Sequence, residues 1–385
     1  MFMLLLFLVS GESPKWATPA DEQHIWVIAQ DDGQLPHLSL WSSKSSHAVA
    51  APPQTLVAVD GLDLFVIHQS HITRLRWVKN SWQQQDTWTF QKPHPIRVPF
   101  WLLAQTWTFE GLRYWAWSCH ETDQNHLIIA WAKGDQVTDR VFPLPKPYIR
   151  PSSYQRTQFT TPILEKRGHF IWWIDGKTAQ AFDLSHHKLH TFDMPQLKGT
   201  YSYFPLWNGK SVDWLCSGGP AGSFGELGFQ LGTTGTKTSG ITIRILVDPL
   251  SQGTRVAVVT TEASVSSQLI SALSDSRKIQ VHLMRLQQGE WQIVSTTKMR
   301  FDTDERTPFQ ETSMDMFADF NQDGFADLVF NDGSRNMRVW MSNVVGGLSQ
   351  NSADLGPAAD ILVSSSPYAI RFDYRDTWTW SKVTP

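Results

Sequence analysis

The sequence predicts an all-β fold assembled from repeated units, and two observations support this prediction. First, a polar turn followed by an apolar strand recurs along the chain, with a glycine marking each turn. Second, the composition suits extended structure, because the 385 residues include 19 tryptophans and a helical pattern is found only over Ser266 to Leu273. Large planar side chains in such number are typical of sheets packed face to face.

The clearest repeat unit runs from Ala318 to Phe330, where a polar turn at Gly324 leads into an apolar strand. Related turns are marked by Gly61, Gly111, Gly168, Gly209 and Gly253. The spacing between consecutive markers is 41 to 71 residues, with a mean of about 53, which is typical of the blades of a β-propeller. A single blade cannot bury both of its faces, so blades stack on one another.

The two ends of the chain also contain strand patterns, although they lack a glycine marker. Residues 21–50 include Ile25–Ala29 and Leu38–Trp41, and residues 360–383 include Ile361–Val363 and Thr377–Trp380. We predict that these ends pair with each other and complete one blade, which removes the open sheet edges. The expected architecture is therefore a single β-propeller domain over residues 21–385, with seven blades and with six or eight as alternatives.

The N-terminus carries an apolar run, Met1–Val9, that is too short to span a bilayer but long enough for the hydrophobic region of a signal peptide. No Lys or Arg precedes the run, so a wrongly assigned start and a buried N-terminal strand are the alternatives. We expect residues 1–20 to be an export segment and the rest to be periplasmic, displayed on the outer surface or extracellular. No later stretch approaches the length of a transmembrane helix.

Charge and cysteine content exclude several classes of protein. The formal net charge is -3, so there is no basic excess to bind nucleic acid. Charged residues make up 18% of the chain and hydrophobic residues 41%, a balance that excludes a disordered chain. Cys119 and Cys216 are too few for a disulfide framework or a structural zinc site, and whether they form one bridge is left open.

One segment resembles a known family. Asp319–Leu328 is similar to the calcium-loop signature of the FG-GAP/VCBS repeat, the propeller repeat of integrin alpha chains and of many bacterial surface proteins. Val339–Met341 and Gly346–Leu348 resemble the following strand and glycine turn of such a blade. The other turns match only in spacing and in a few positions.

The same loop has the residue types of a calcium site. Asp319, Asn321, Asp323 and Asp327 stand at positions 1, 3, 5 and 9, with the Phe325 carbonyl at position 7. Oxygen ligands in this number suit Ca²⁺ at about 2.4 Å. The alternative is a set of Asx turns without metal. The resemblance implies one calcium ion with a structural role, because the related loop at Asp248 has Leu250, Gln252 and Val256 where ligands are needed.

Other motifs that suggest chemistry have simpler interpretations. We interpret His186–His190 as a hairpin connection with solvated imidazoles, and Gly218–Gly225 as a blade turn, because it opens no helical pattern. The carboxylates Asp302, Asp304, Glu305, Asp373 and Asp376 have the spacing of loop residues. We therefore expect no catalytic residues.

The tryptophans have two alternative roles, packing between blades or display at the surface, and the two roles indicate different functions. Trp115 and Trp117, Trp378 and Trp380, and the adjacent pair Trp172 and Trp173 lie on predicted strands, where they pack between blades or are displayed. Our first hypothesis is a non-catalytic exported propeller that acts as a protein-interaction or assembly component of the cell envelope or surface. The alternatives are a carbohydrate-binding, lectin-like propeller and a polysaccharide-active enzyme.

Overall fold

The protein is described here from a computed structural model. The structure describes residues 7–8, 13–21, 23–30, 37–42, 46–48, 55–94, 102–121, 124–144, 165–167, 169–175, 178–197, 200–207, 211–219, 228–231, 242–248, 251, 254–261, 276–302, 316–321, 323–331, 336–342, 347–357, 361–365, 368–373 and 377–382. Every regular element within these ranges is a β-strand. The predicted helix over Ser266 to Leu273 lies outside the described residues.

The strands follow one another as short antiparallel meanders, which we number 1 to 8. The chain begins with β1 (Phe7–Leu8), and meander 1 contains β2 (Ser13–Pro19), β3 (His24–Gln30), β4 (His37–Ser42) and β5 (Ser46–Ala48). Meander 2 contains β6 (Leu56–Asp60), β7 (Asp63–Ile67), β8 (His71–Val78) and β9 (Ser81–Phe90). After β10 (Leu102–Leu103), meander 3 contains β11 (Gln105–Phe109), β12 (Leu112–Glu121), β13 (Gln124–Lys133) and β14 (Gln136–Leu144).

The second half of the chain continues the pattern. Meander 4 contains β15 (Glu165–Arg167), β16 (Phe170–Asp175), β17 (Thr178–Asp183) and β18 (Lys188–Asp193), and meander 5 contains β19 (Thr200–Trp207), β20 (Val212–Gly219) and β21 (Gly228–Leu231). Meander 6 contains β22 (Thr242–Val247), β23 (Arg255–Thr261), β24 (Ser276–Gln287) and β25 (Glu290–Asp302). Meander 7 contains β26 (Met316–Ala318), β27 (Asp327–Asn331), β28 (Asn336–Ser342) and β29 (Leu348–Pro357). Meander 8 contains β30 (Ile361–Ser365), β31 (Tyr368–Asp373) and β32 (Thr377–Lys382), with β1 as its outermost strand.

The glycine markers fall at one equivalent place in the repeat. Each marker lies between the first and second strands of meanders 2 to 7. Gly61, Gly111 and Gly324 adopt positive φ angles of 55°, 78° and 87°, a conformation that glycine reaches at no steric cost. The all-β prediction is therefore confirmed, and the described markers Gly61, Gly111 and Gly324 each lie in a turn between two strands. Gly168, Gly209 and Gly253 lie outside the described residues.

The two ends of the chain close the ring in a different way from the one predicted. β1 pairs antiparallel with β32, Phe7 opposite Trp378 and Leu8 opposite Thr377. The strands of residues 21–50 instead belong to meander 1, a separate sheet. The expectation that N-terminal and C-terminal strands share a sheet is thus confirmed, but its placement of residues 21–50 in that sheet was wrong. The described strands form eight meanders, whereas the sequence predicted seven blades with six or eight as alternatives.

The meanders are arranged as the blades of a propeller. The first strands of consecutive meanders lie side by side at β6 and β11 and at β22 and β26, and β2 lies beside β30, which brings the last meander next to the first. Meanders 2 and 3 are also joined into one nine-stranded sheet by two short parallel pairings, β14 with β9 and β10 with β6.

Hydrophobic clusters fill the space between consecutive meanders. Successive interfaces from meander 1 to meander 7 contain Trp26 with Leu64, Phe65 with Trp115, Tyr114 with Trp173, Trp172 with Trp214, Leu215 with Trp291, and Leu283 with Trp340. Because neighbouring strand residues point to opposite faces, Trp115 packs toward meander 2 and Tyr114 toward meander 4. Trp172 and Trp173 divide in the same way, with Trp172 toward meander 5 and Trp173 toward meander 3.

Polar side chains on second strands also connect the meanders. Trp26 Nε1 on β3 donates to the Gly61 carbonyl at 2.8 Å, and the Tyr114 hydroxyl on β12 donates to the Leu184 carbonyl at 3.0 Å. Arg255 Nη1 on β23 lies 3.4 Å from the Ala326 carbonyl. In all three cases the acceptor lies in a turn of the following meander. These bonds fix where each turn sits relative to its neighbour.

Candidate functional site

The turn between β26 and β27 is the candidate site, and its polar residues form one hydrogen-bonded loop. Asp319 accepts two backbone N–H groups, from Asp323 at 3.1 Å and from Gly324 at 2.9 Å. Asn321 Nδ2 donates to Asp323 Oδ2 at 2.9 Å, and Asp323 Oδ1 accepts the Phe325 N–H at 2.8 Å. Asp319, Asn321 and Asp323 are thus brought together within a series of Asx turns.

Asp327, the fourth predicted side-chain ligand, lies beneath this loop and is fully buried. One carboxylate oxygen accepts the Phe320 N–H at 3.0 Å and the other accepts the Ser342 N–H at 2.7 Å. Burial raises the pKa of the Asp327 carboxyl to about 6, although the two N–H donors favour its ionised form and nearby Asp323 and Asp319 oppose it. In this arrangement the side chain ties the loop to the end of β28.

A buried charged network supports the same loop from the preceding meander. Arg255 Nη1 donates to Asp248 Oδ2 at 3.0 Å, and Nη2 donates to Ser342 Oγ at 3.0 Å. The Ser342 hydroxyl in turn donates to the Ala326 carbonyl. Arg255, Asp248 and Ser342 are all buried. The carboxylate balances the guanidinium, and the contacts of Nη1 with the Ala326 carbonyl and of Nη2 with the Ser342 hydroxyl hold the turn before β27.

Sequence reasoning did not identify Arg255 and Ser342 as supports of the loop. The sequence contained one indication of this role, because Arg255 is a charged residue at the start of the apolar strand Arg255–Val259. An arginine at such a position is buried only when it is paired with an opposite charge. Its partner Ser342 is 87 residues away in sequence, so no local pattern connects the two.

The loop supplies some of the oxygen ligands that a bound cation would need. Asp319 and Asn321 are half-buried and Asp323 is exposed, so two carboxylates and one amide face the loop, while Asp327 has both oxygens engaged by backbone N–H groups. Within the described residues, no group of three or more His, Cys, Asp or Glu side chains is placed to hold a metal ion.

The hairpin between β17 and β18 was predicted as a connection with solvated imidazoles. The hairpin is confirmed, and the His186 side chain is 71% exposed while its Nδ1 lies 2.8 Å from Asp183 Oδ2. The prediction was wrong for His187, whose ring stacks on Trp131 with centroids 4.3 Å apart. His187 Nε2 also lies 2.8 Å from the Tyr114 hydroxyl.

Burial and charge set the ionisation of this hairpin. Burial lowers the pKa of His187, an effect that Arg140 and Lys133 reinforce and Asp183 opposes. Burial acts against the ionised form of Asp183, but the bonds from His186 and from the N–H groups of Ser185 and His186 lower its pKa overall. The hairpin is therefore a packed contact between meanders 3 and 4.

The tryptophans whose side chains the structure describes lie within the fold. Those that are buried are Trp26, Trp41, Trp77, Trp115, Trp117, Trp131, Trp172, Trp173, Trp214, Trp291 and Trp340. Trp82, Trp88 and Trp107 are half-buried. In the described part of the chain, the exposed large hydrophobic residues are Val141 and Leu189, which lie on the outermost strands of meanders 3 and 4.

Cys119 on β12 and Cys216 on β20 are buried and are not joined in a disulfide. Burial raises the pKa of the Cys216 thiol to about 11. Gly218 and Gly219 end β20, Asp302 ends β25 and Asp373 ends β31, whereas Gly222, Asp304, Glu305 and Asp376 lie outside the described residues. No helix in the described ranges has the length and apolar character needed to cross a membrane.

Comparisons with known proteins give structural likeness at very low sequence identity. The WD40 domain of SCAP from fission yeast aligns with a TM-score of 0.31 and 9% identity, covering 93% of this chain and 99% of that domain. A chain of a mitotic checkpoint complex aligns with a TM-score of 0.40 and 9% identity, covering 99% of this chain and 91% of the other. No protein-family model and no curated protein matches the sequence. The propeller assignment rests on the strand pairing of this chain.

Proposed function

We propose that this chain is a non-catalytic propeller that acts as a protein-interaction or assembly component of the cell envelope or cell surface. It is exported by its N-terminal apolar run, belongs to the FG-GAP/VCBS type and carries one structural calcium ion. A rigid disc whose turns differ from one meander to the next offers distinct loop surfaces, which suits binding one defined partner better than binding many copies of one ligand.

The burial of the tryptophans is the observation that carries this proposal. A lectin would display aromatic rings as stacking platforms for sugars. None of the tryptophan side chains in the described part of the chain is exposed, since the rings fill the spaces between meanders. For the tryptophans whose side chains are described, packing therefore accounts for the aromatic content that favoured a lectin as the alternative.

The proposed calcium ion would be held by Asp319, Asn321 and Asp323, with the Phe325 carbonyl as a further ligand and Asp327 beneath them. Bound there, the ion would neutralise the clustered carboxylates and fix the turn. Asp327 already anchors the loop through Phe320 and Ser342. In this arrangement the half-buried Asp319 and Asn321 and the exposed Asp323 would bind the ion, and the buried Asp327 carboxylate would hold the loop in place.

An affinity experiment tests the proposed function. The tagged protein is used to capture material from its native cell envelope after gentle cross-linking, with one elution by mixed sugars and a second by denaturant. We expect defined proteins in near-stoichiometric amounts that the sugars do not release. Glycan-bearing material released by the sugars would make the protein a lectin. Absence of any stoichiometric protein would contradict the assembly role.

Two variants of the bait, one of them a control, determine which part of the propeller the partner contacts. Val141→Asp with Leu189→Asp places charge on the two exposed apolar positions of the outer strands, whereas Arg285→Asp alters an exposed position of β24. Both baits should fold, because surface substitutions rarely change stability by more than about 0.5 kcal/mol. Loss of the partner from the first bait alone would place its contact on the rim of meanders 3 and 4, and retention by both would place it elsewhere on the disc.

A further inference from the structure

The turn between β17 and β18 contains one histidine in an unusual backbone conformation. His187 has a φ angle of 52°, in the left-handed region where the Cβ of a residue other than glycine crowds the backbone. His186 and Lys188 on either side are exposed, whereas His187 is half-buried. A residue in such a conformation persists only where the surrounding structure holds it. The contacts of the His187 ring are therefore what keep this turn against meander 3.

The ring contacts connect the turn to two strands of meander 3. The His187 ring stacks on Trp131 of β13, with centroids 4.3 Å apart and planes 11° from parallel. Its Nε2 lies 2.8 Å from the hydroxyl of Tyr114 on β12. That hydroxyl donates its one proton to the Leu184 carbonyl, so its oxygen accepts from His187 and Nε2 carries a hydrogen. Nδ1 is therefore the atom that gains a proton when the ring becomes charged.

Charged groups of both meanders face this contact. Those that act on the His187 ring or on Tyr114 are Glu110, Lys133 and Arg140 in meander 3 and Asp183 in meander 4. Asp183 favours a charged ring, but its carboxylate is also bonded to His186 Nδ1 at 2.8 Å and lies 3.8 Å from His190 Nε2. Burial, Arg140 and Lys133 outweigh it and lower the pKa of His187.

We propose that His187 forms a pH-sensitive contact between meanders 3 and 4, in which the neutral ring holds the turn against Trp131 and the protonated ring releases it. The pKa of the docked ring lies below its ordinary value of 6.5, so the released turn takes up a proton first. Docking is fully favoured above that value and weakens as the pH falls toward the lower pKa of the docked ring. Tyr114 does not titrate in this range, because burial raises its pKa to about 12.

The release is local because the turn has hydrogen bonds of its own. Asp183 Oδ1 accepts the N–H groups of Ser185 and His186, at 2.8 and 3.4 Å, within the turn. These bonds do not involve the His187 ring and are kept when the ring leaves. Trp131 is 5% exposed while the ring covers one of its faces. Release therefore uncovers an aromatic face between two meanders and leaves the hairpin formed.

The test measures oxidation of individual tryptophans by hydroxyl-radical footprinting with mass spectrometry at pH 7.5 and at pH 5.0. In the unchanged chain we expect oxidation of Trp131 to rise at least about threefold at the lower pH. Oxidation of the buried Trp115, which packs toward meander 2, should stay constant. His187→Asn lacks the ring but tolerates the left-handed conformation, so its Trp131 should be oxidised strongly at both pH values. The control His186→Asn alters an exposed imidazole of the same turn and should keep the rise.

Three results would overturn the proposal. Equal oxidation of Trp131 at both pH values in the unchanged chain would mean that the charged ring stays on the indole through a cation–π contact. A parallel rise at Trp115 would mean that the whole fold loosens in acid. A rise that persists in His187→Asn would assign the titration to another group. The first two results come from the unchanged chain, so the proposal is tested even where a variant does not fold.

Discussion

The guanidinium of Arg255 donates to the hydroxyl of Ser342 in the following meander, with 3.0 Å between Nη2 and Oγ. The same guanidinium pairs with Asp248 within its own meander. Because Ser342 also holds the Ala326 carbonyl and the Asp327 carboxylate, one arginine links the packing of meanders 6 and 7 to the loop of the candidate site.

Arg255→Met is expected to lower the free energy of unfolding by about 3–5 kcal/mol, because it leaves the buried Asp248 carboxylate without its partner. Adding Asp248→Leu should recover much of that loss, since the unpaired charge is then gone. Chemical denaturation measures both effects. Arg285→Met, at an exposed position of β24, is the control. An unchanged midpoint for Arg255→Met would show that the ion pair contributes nothing net.

Tyr114→Phe is expected to cost about 1–2 kcal/mol, because it leaves the buried Leu184 carbonyl without its donor. The ring itself is kept, so packing against Trp131 is retained. Thr108→Val, at an exposed position of the neighbouring β11, is the matched loss of a hydroxyl and should be neutral. Thermal unfolding compares the two variants, and equal stability of both would mean that water replaces the lost bond.

The sequence predicted the repeat better than it predicted the closure, for a physical reason. The turns at Gly61, Gly111 and Gly324 could be predicted because their positive φ angles favour glycine. The turn before β3 uses Asp21 instead, whose carboxylate accepts the N–H groups of Gln23 and His24. This turn has no glycine, so meander 1 was not recognised as a unit of its own.

The sequence likewise predicted some features of the candidate site and missed others. Asp319, Asn321 and Asp323 are neighbours in sequence and bond to one another locally, so their pattern could be read directly. The roles of Asp327, Arg255 and Ser342 depend on which strands lie side by side. That arrangement is a property of tertiary packing, and it determines which carboxylate is buried and which is exposed.

The native thiol of Cys216 is expected to resist alkylation at pH 8. Burial raises its pKa to about 11, and the thiolate is the form that reacts. Iodoacetamide treatment followed by peptide mass spectrometry should find Cys216 unmodified in the native protein and modified in denaturant. Rapid modification of the native protein would show that β20 opens readily. Loss of free thiol without alkylation would indicate a disulfide instead.

His282 is expected to make stability fall as the pH drops below about 6.5. Burial lowers its pKa below that value in the folded protein, so the unfolded chain binds a proton first. The stabilisation is complete above the unfolded pKa and is lost as the pH falls toward the folded pKa. His282→Gln should flatten the stability profile between pH 7.5 and about 5.5. The control Thr108→Val, at an exposed position of β11, leaves the ring and its surroundings unchanged and should not alter the slope.

Calcium is expected to raise the melting temperature of the unchanged chain, because a ligand that binds only the folded state stabilises it by mass action. At a concentration 100 times the dissociation constant the gain is about 2.7 kcal/mol. Asp323→Ala removes an exposed carboxylate of the loop and should abolish the difference between calcium and chelator. Asp193→Ala, an exposed carboxylate on β18, should leave that difference intact. Equal melting temperatures with calcium and with chelator for the unchanged chain would mean that the loop is held by its Asx turns alone.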